Sequence, residues 1–547
     1  MQQSKAITIF LLAIGILSFI AAESTKKNST PARFASALPA IETLDDQKAL
    51  SHLEFLAHDL LEGRESGHRG HELAANYVAA HFARLGLQPG GDHGSYFQSF
   101  SIASSHLAAA SLKLSYDQSE TTEAEVNQDF KPLTFTGEGE GQAEIVFAGY
   151  GITAPEYDYD DYSGINVRNK IVLVLRYEPD FGKESITQSR EPYKTNHALF
   201  FNKMQNAMQH GAAGIIVVNG FLSESEQAQE DYVEPGAVLE WNSINSVPDL
   251  RRKKWNLELT EQKRAIPFFW MRRELAQNLL AVQGKDLRLV QAKIDKELKP
   301  HSFVLKRARA AVSVTIGIET RETHNVIGVF RGASGVHHEA VVIGAHLDHE
   351  GVKHHQIYNG ADDNASGSAA LLLTAEGFSH MAAGGERPLR DVVFIAFAGE
   401  EKGLLGSRHY VSHAAIGPEN TAAMINMDMI GRNDPNELSV IGFRRSPELQ
   451  EINQAANGII GFQFKYDGEQ FFYRSDQASF AAHGIPVLFY NSGLHEDYHR
   501  PGDDSEKISG EKIARVAQLA TLVAWEVANS ESRPTYIEDP ATKPAKE

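Results

Sequence analysis

Three apolar runs between Val341 and Glu401 constrain this chain most, because each delivers side chains of the metal-binding kind where its apolar residues stop. VVIGAHLDHEG closes on His346 and Asp348. NGADDNASGSAALLL carries Asp362 and Asp363 in a Gly/Asn/Ser turn that opens a helix, and DVVFIAFAGEEKGLLGS ends in Glu400 and Glu401. Continuous Val/Ile/Phe runs mark parallel strands covered on both faces, and open α/β sheets take ligands in the crevice beyond the carboxyl ends of such strands. The expected fold is therefore α/β, a mixed, mostly parallel sheet flanked by helices, with its site at those strand ends.

Two residues downstream follow the same logic. Asp428 lies within the apolar run AAMINMDMIGR, and His499 follows the strand-like PVLFYNS in HEDYHRPGDD. A carboxylate inside an apolar run is expensive to bury unpaired, so Asp428 needs a cation or donors beside it. Imidazole and carboxylate ligands without any thiolate suit a borderline divalent ion such as Zn²⁺, and the set holds more ligands than one ion needs. A carboxylate bridging two ions suits a cocatalytic pair.

Neighbouring residues in the Glu-Glu pair point in different directions, so one can bind metal while the other faces water. Asp348, two residues after His346, is placed to accept the free ring N–H of that histidine and fix its tautomer. Each motif alone has a plainer reading. Glu400-Glu401 fits a helix start with acids in its first turn, and DDNASG fits a capped turn whose acids satisfy backbone donors. His349, His354, His355 and His495 lie near these motifs but match no ligand position, and read as rim residues.

Taken jointly and in order, the five motifs resemble the M28 family of dinuclear zinc metallopeptidases, with the zinc-dependent exopeptidase fold. The resemblance implies two Zn²⁺ per chain, His346 and Asp428 on one ion and Glu401 and His499 on the other. The family's bridging aspartate directly precedes the Asn-x-Ser-Gly phrase, which puts the bridge on Asp363 rather than Asp362. Glu400 is then the general base that takes a proton from the metal-held water, and the Asp363–Asn364 peptide is expected to be cis. Many relatives read Ser-Asp-His where this chain has Ser475, Asp476 and Gln477. Tyr473, just before, is a candidate to contact the oxyanion or substrate, or else a core tyrosine at a strand end.

Residues 1–22 have the layout of a secretory signal peptide: Lys5, then the apolar AITIFLLAIGILSFIAA, then polar ESTKKNST. Export to the periplasm or medium is expected, with an uncleaved N-terminal anchor as the alternative and no other membrane association. The chain has no cysteine, hence neither disulfide nor lipidation site, and its stability must come from its core. With 52 basic against 71 acidic residues, a net charge of −19, nucleic acid is not an expected partner.

Residues 40–115 carry two amphipathic helical patterns, with LEGR and LGLQPGG phrases that resemble the start of an M28 catalytic domain. Residues 116–302 interrupt it with a succession of strands and helices that resembles a protease-associated (PA) domain, expected to cover part of the cleft and filter substrates by size. Its loop YDYDDYSG is acidic enough to suggest Ca²⁺, though in relatives it only connects strands. The catalytic domain resumes over 303–530, opening with an expected edge hairpin in AAVSVTIGIETRETHNVIGVFRG, and 531–547 reads as a disordered tail.

The leading function is an aminopeptidase acting on peptides with a free N-terminus. A carboxypeptidase, a transferase resembling glutaminyl cyclase and a non-catalytic module resembling the transferrin receptor ectodomain are the alternatives. Retention of all five ligands and Glu400 argues against the last, and the inserted domain against the cyclase.

Overall fold

The computed structural model describes residues 32–116, 120–133, 136–179, 195–221, 254–256, 266–333, 339–353 and 355–538. The signal-peptide segment 1–22 lies outside them. Among the described residues no helix is long and apolar enough to cross a membrane. The chain forms two compact units, one comprising the chain up to Ile102 and from Arg321 onward, the other Ala103–Thr320. Both divisions fall within long strands, β1 (Phe97–Tyr116) and Phe303–Phe330. An uninterrupted strand carries no turn or composition change to mark such a point, which is why the sequence suggested 115/116 and 302/303 instead.

The first unit opens with α1 (Asp46–Leu56) and α2 (Arg69–Arg84). Asp45 caps α1, its carboxylate accepting the Lys48 N–H at 2.9 Å. Leu53 and Leu56 from α1, and Ala74, Val78 and Phe82 at helical spacing from α2, are fully buried.

In the second unit, β2 (Gly139–Phe147), β3 (Ile171–Leu175), β4 (Gly214–Val218) and β5 (Phe268–Met271) lie side by side and parallel. The β2 edge pairs antiparallel with the first half of β6 (Phe303–Phe330). The acidic loop is structural here. Asp161 is fully buried and accepts the N–H groups of Tyr150 and Ile152 at 2.9 and 3.1 Å and the Tyr159 hydroxyl at 2.7 Å. Burial pushes its carboxyl up to about 7. The nearby Lys203 ammonium is also fully buried, which brings it down to about 7, and it donates to the backbone oxygens of Tyr150 and Tyr177.

The expected hairpin at 310–332 is instead the continuous strand β6, 28 residues long. Alternating β-prone residues do not distinguish two short strands from one long one, and this stretch has no hairpin turn dipeptide. In the first unit, Val326–Phe330 pairs antiparallel with β8 (Asp391–Phe397), and β8 runs parallel to β7 (Ala340–His346). The order continues from β7 through parallel β9 (Thr421–Met427) and β12 (Val487–Asn491) to antiparallel β10 (Glu437–Ile441) and then β11 (Gln463–Lys465). This is the mixed, mostly parallel sheet expected. Helix α3 (Gly367–Ala383) is apolar nearly all round and packs against α1 and the long C-terminal α4 (Gly510–Asn529).

The segment expected to begin a disordered tail is tied down over 533–538. Thr535 Oγ1 donates to Glu448 at 2.8 Å, and the Ile537 N–H donates to Arg445 O at 2.7 Å. Tyr536 adds packing against the apolar cluster around Phe480 and Val487, an anchor that the polar composition of the stretch conceals; residues 539–547 lie outside the described part.

Candidate metal centre

Each strand end contributes as its register dictates. His346 is the last residue of β7, Asp428 directly follows β9, and Glu400 and Glu401 lie three and four residues beyond Phe397 at the end of β8. These strands are adjacent and parallel, so the side chains converge over one end of the sheet.

Asp363 enters from the turn before α3, through a cis Asp363–Asn364 peptide as expected. The residues around it explain the phrase DDNASG. Asn364 donates to Met427 O at 3.0 Å and accepts the Gly367 N–H at 2.9 Å, and Ser366 Oγ donates to Asp362 O at 2.7 Å. A Cβ on Gly367 would collide with Met427 O, so the turn can approach β9 this closely only with glycine there. Asp503 secures the other side, accepting the N–H groups of Asp362 and Asp363, each at 3.0 Å.

Asp363 joins two groups of donors. Its Oδ1 is 3.3 Å from His346 Nε2, and its Oδ2 is 3.1 Å from His499 Nε2. On the first side His346 Nε2 is also 3.2 Å from Asp428 Oδ1, and on the second His499 Nε2 is 3.1 Å from Glu401 Oε2. His346–Asp363–Asp428 and Glu350–Glu401–His499 are each close enough to hold one cation. Asp362, by contrast, is fully buried and points elsewhere, accepting the Gly431 N–H at 2.6 Å with its Oδ2 3.3 Å from His495.

Asp348 corrects one expectation. The His346 Nδ1 is paired with the backbone oxygen of Asp348 at 3.1 Å, while the carboxylate stands 4.0 Å off. That carboxylate instead accepts the Glu400 N–H at 3.1 Å. The spacing of two residues allows either atom to reach the ring, and the backbone carbonyl is nearer. His349 is another correction: far from lying on a rim, it is fully buried, with Nδ1 2.7 Å from Glu401 Oε1. The His495 side chain is likewise covered, only 3% exposed, whereas His355 is exposed and His354 lies outside the described residues. Tyr473 is 41% exposed and packs with Phe472 and Arg445. Gln477 bonds Asn426 and Phe472 O, a structural role for the position where relatives have His.

Sequence reasoning also missed Arg64. Its guanidinium is fully buried and donates to the backbone oxygens of Leu56, Leu347, Asn359 and Gly360, fixing the loops that carry His349 and Asp363. The LEGR phrase contained it, but nothing local shows that this Arg turns inward.

The electrostatics fit cations. Burial alone would lower the His346 imidazole, yet Asp428, Glu400 and Asp363 hold it well above its ordinary value. His499 is raised to about 10 by Asp363 and Glu401 against the effect of burial. Burial and Glu401 push the Glu400 carboxyl well above the usual carboxylate range. Asp476, missed as a neighbour, is fully buried and is raised to about 7 by its burial. Carboxylates thus outnumber imidazoles in a nearly dry site, and divalent cations bound by N and O donors would balance them.

The family model described as peptidase family M28 matches residues 325–524, which include every one of these candidate ligands. This stretch belongs to peptidase family M28. A PA-domain model matches residues 135–239, ahead of the M28 domain. The chain is 33% identical over 201 residues to a probable leucine aminopeptidase of Trichophyton verrucosum, covering 36% of this chain and 56% of that protein. It is 29% identical over 228 residues to the aminopeptidase YwaD of Bacillus subtilis, covering 39% and 47%. The chain thus spans about half the length of these curated relatives. Two further fungal relatives are named probable zinc metalloproteases. In fold, the chain resembles an aminopeptidase from Aneurinibacillus sp. strain AM-1, with a TM-score of 0.51 at 22% identity over 92% of this chain and 98% of that one.

Proposed function

We propose that the chain is an exported dinuclear zinc aminopeptidase that removes N-terminal residues from peptides. The observation that carries this reading is the position of Asp363, whose two carboxylate oxygens face His346 on one side and His499 on the other. His346, Asp428 and Asp363 would hold one ion, and Asp363, Glu401 and His499 the other. Bound zinc supplies Lewis acidity toward the scissile carbonyl and makes water more acidic.

Glu400 acts as general base, taking the proton from the attacking water. It then passes that proton to the departing amine. Asp348 positions it by holding its N–H. Exclusion of water by the buried walls strengthens each of these interactions. A carboxylate beside the ions would hold the substrate's free α-amine, which limits attack to the first peptide bond. Export rests on the character of residues 1–22.

The test is hydrolysis of aminoacyl chromogenic substrates by metal-free and zinc-restored full chain. Turnover should depend on restoring two ions and on a free α-amine. Equal activity on N-acetylated substrates would overturn the aminopeptidase reading, and full activity with one ion the dinuclear one.

A further inference from the structure

His349 has the surroundings of a ligand although no family motif marks it as one. It is completely buried, yet neither ring nitrogen has a hydrogen-bond partner among the described residues. Burying a polar ring without regular hydrogen bonds is costly, so His349 is a poor choice as mere filler. Its Nδ1 is 2.7 Å from Glu401 Oε1 and 3.9 Å from Asp363 Oδ2. Short as the first distance is, the pair does not form a regular hydrogen bond, and the Glu401 oxygen accepts from no other donor among the described residues. Two donors drawn together without a regular hydrogen bond between them both face a third position, as atoms sharing a cation do. His349 Nδ1, Asp363 and Glu401 are close enough to hold one.

His499 reaches the same two carboxylates at 3.1 Å each. The His349 and His499 rings are 5.7 Å apart at 71°, so the two imidazoles approach the Asp363–Glu401 pair from different directions. Room for the ring is provided by Gly360, at φ 56°, where a Cβ would run into both the His349 ring and Asp363 O.

We propose that His349 is a direct ligand, through Nδ1, of the ion shared by Asp363, Glu401 and His499. The inference rests on the dinuclear reading. It makes the two ions unequal: one has two imidazoles and two carboxylates, the other a single imidazole from His346. Added imidazole favours borderline ions such as Zn²⁺, so the His349 site fills first and empties last.

The experiment uses the full chain loaded with Co²⁺. Proton NMR should show three hyperfine-shifted, exchangeable ring N–H signals, from His346, His499 and His349. In His349→Asn one of these should vanish, and the Kd of the tighter site should rise by about 100-fold or more, beyond the effect of losing an outer hydrogen-bond partner. Two signals in the wild-type chain would overturn the proposal, and that count requires no variant to fold. A His349→Asn spectrum that keeps every wild-type signal would overturn it as well. Metal analysis of the same sample separates this from the parent reading: one ion per chain would refute the dinuclear site, while the imidazoles counted on that ion would still decide whether His349 binds.

Discussion

Glu400 and Glu401 are consecutive, yet their carboxylates meet different surroundings. Glu401 lies against His499 and His349, at 3.1 and 2.7 Å, and its carboxyl is drawn down to about 2 by those imidazoles despite burial. Glu400 has its N–H held by Asp348 and its carboxyl pushed up by burial and by Glu401 itself. One is equipped to stay ionised on a cation, the other to exchange a proton.

Glu400→Gln removes the base but keeps the size. Both ions should remain by metal analysis while kcat falls by about 10²-fold or more. Glu401→Gln should instead weaken one metal site, with activity partly restored by added zinc.

Asp363→Ala should lose both ions, because one carboxylate faces both donor groups. Asp362→Ala should keep them, since its carboxylate serves the Gly431 N–H and His495. Titration of each variant with a chromogenic chelator distinguishes the two; metal loss from Asp362→Ala alone would move the bridge by one residue.

Arg64→Lys keeps the charge but cannot reproduce the guanidinium's reach to four backbone oxygens. The loss should be about 3 kcal/mol or more in denaturant unfolding, with metal affinity falling in parallel because the same loops carry ligands.

The buried Asp161 and Lys203 set a pH dependence for the second unit. Asp161 has a raised folded value, about 7, so its contribution is fully present below the unfolded value and lost as pH rises toward 7. Lys203 is depressed to about 7, so its contribution is present above its unfolded value near 10.5 and lost as pH falls to 7. Protection of Ile171–Leu175 against hydrogen exchange in the full chain, corrected for the intrinsic rate, should therefore pass through a minimum near pH 7. Lys203→Met should abolish the alkaline limb.

The strand ends of the M28 domain were legible because covered parallel strands are nearly pure apolar runs, and a His or Glu at such an end stands out. Asp428 was legible for the same reason, as an acid where an acid is costly. Arg64, His349 and Asp503 were not, because each is significant only through partners far away in sequence: Asn359, Glu401 and Asp363. The choice between the backbone oxygen and the carboxylate of Asp348 is a matter of less than one residue's length, below what spacing resolves. The long strand β6 was mistaken for a hairpin because side-chain alternation records which face is covered and not where a chain turns back.

The division of the first unit between the two ends of the sequence has a consequence during synthesis. Helices α1 and α2 and Arg64 leave the ribosome before roughly 200 residues of the second unit, and the strands that cover their apolar faces come later still. At about 5–20 residues per second, that is a wait of tens of seconds with Leu53, Val78 and Phe82 lacking their final neighbours. The second unit, continuous in sequence, can fold in that interval, whereas the loops that Arg64 ties together close only when Leu347, Asn359 and Gly360 have emerged, and Asp428 and His499 follow later still. The order of emergence therefore favours assembly of the inner unit first and of the candidate metal pocket last.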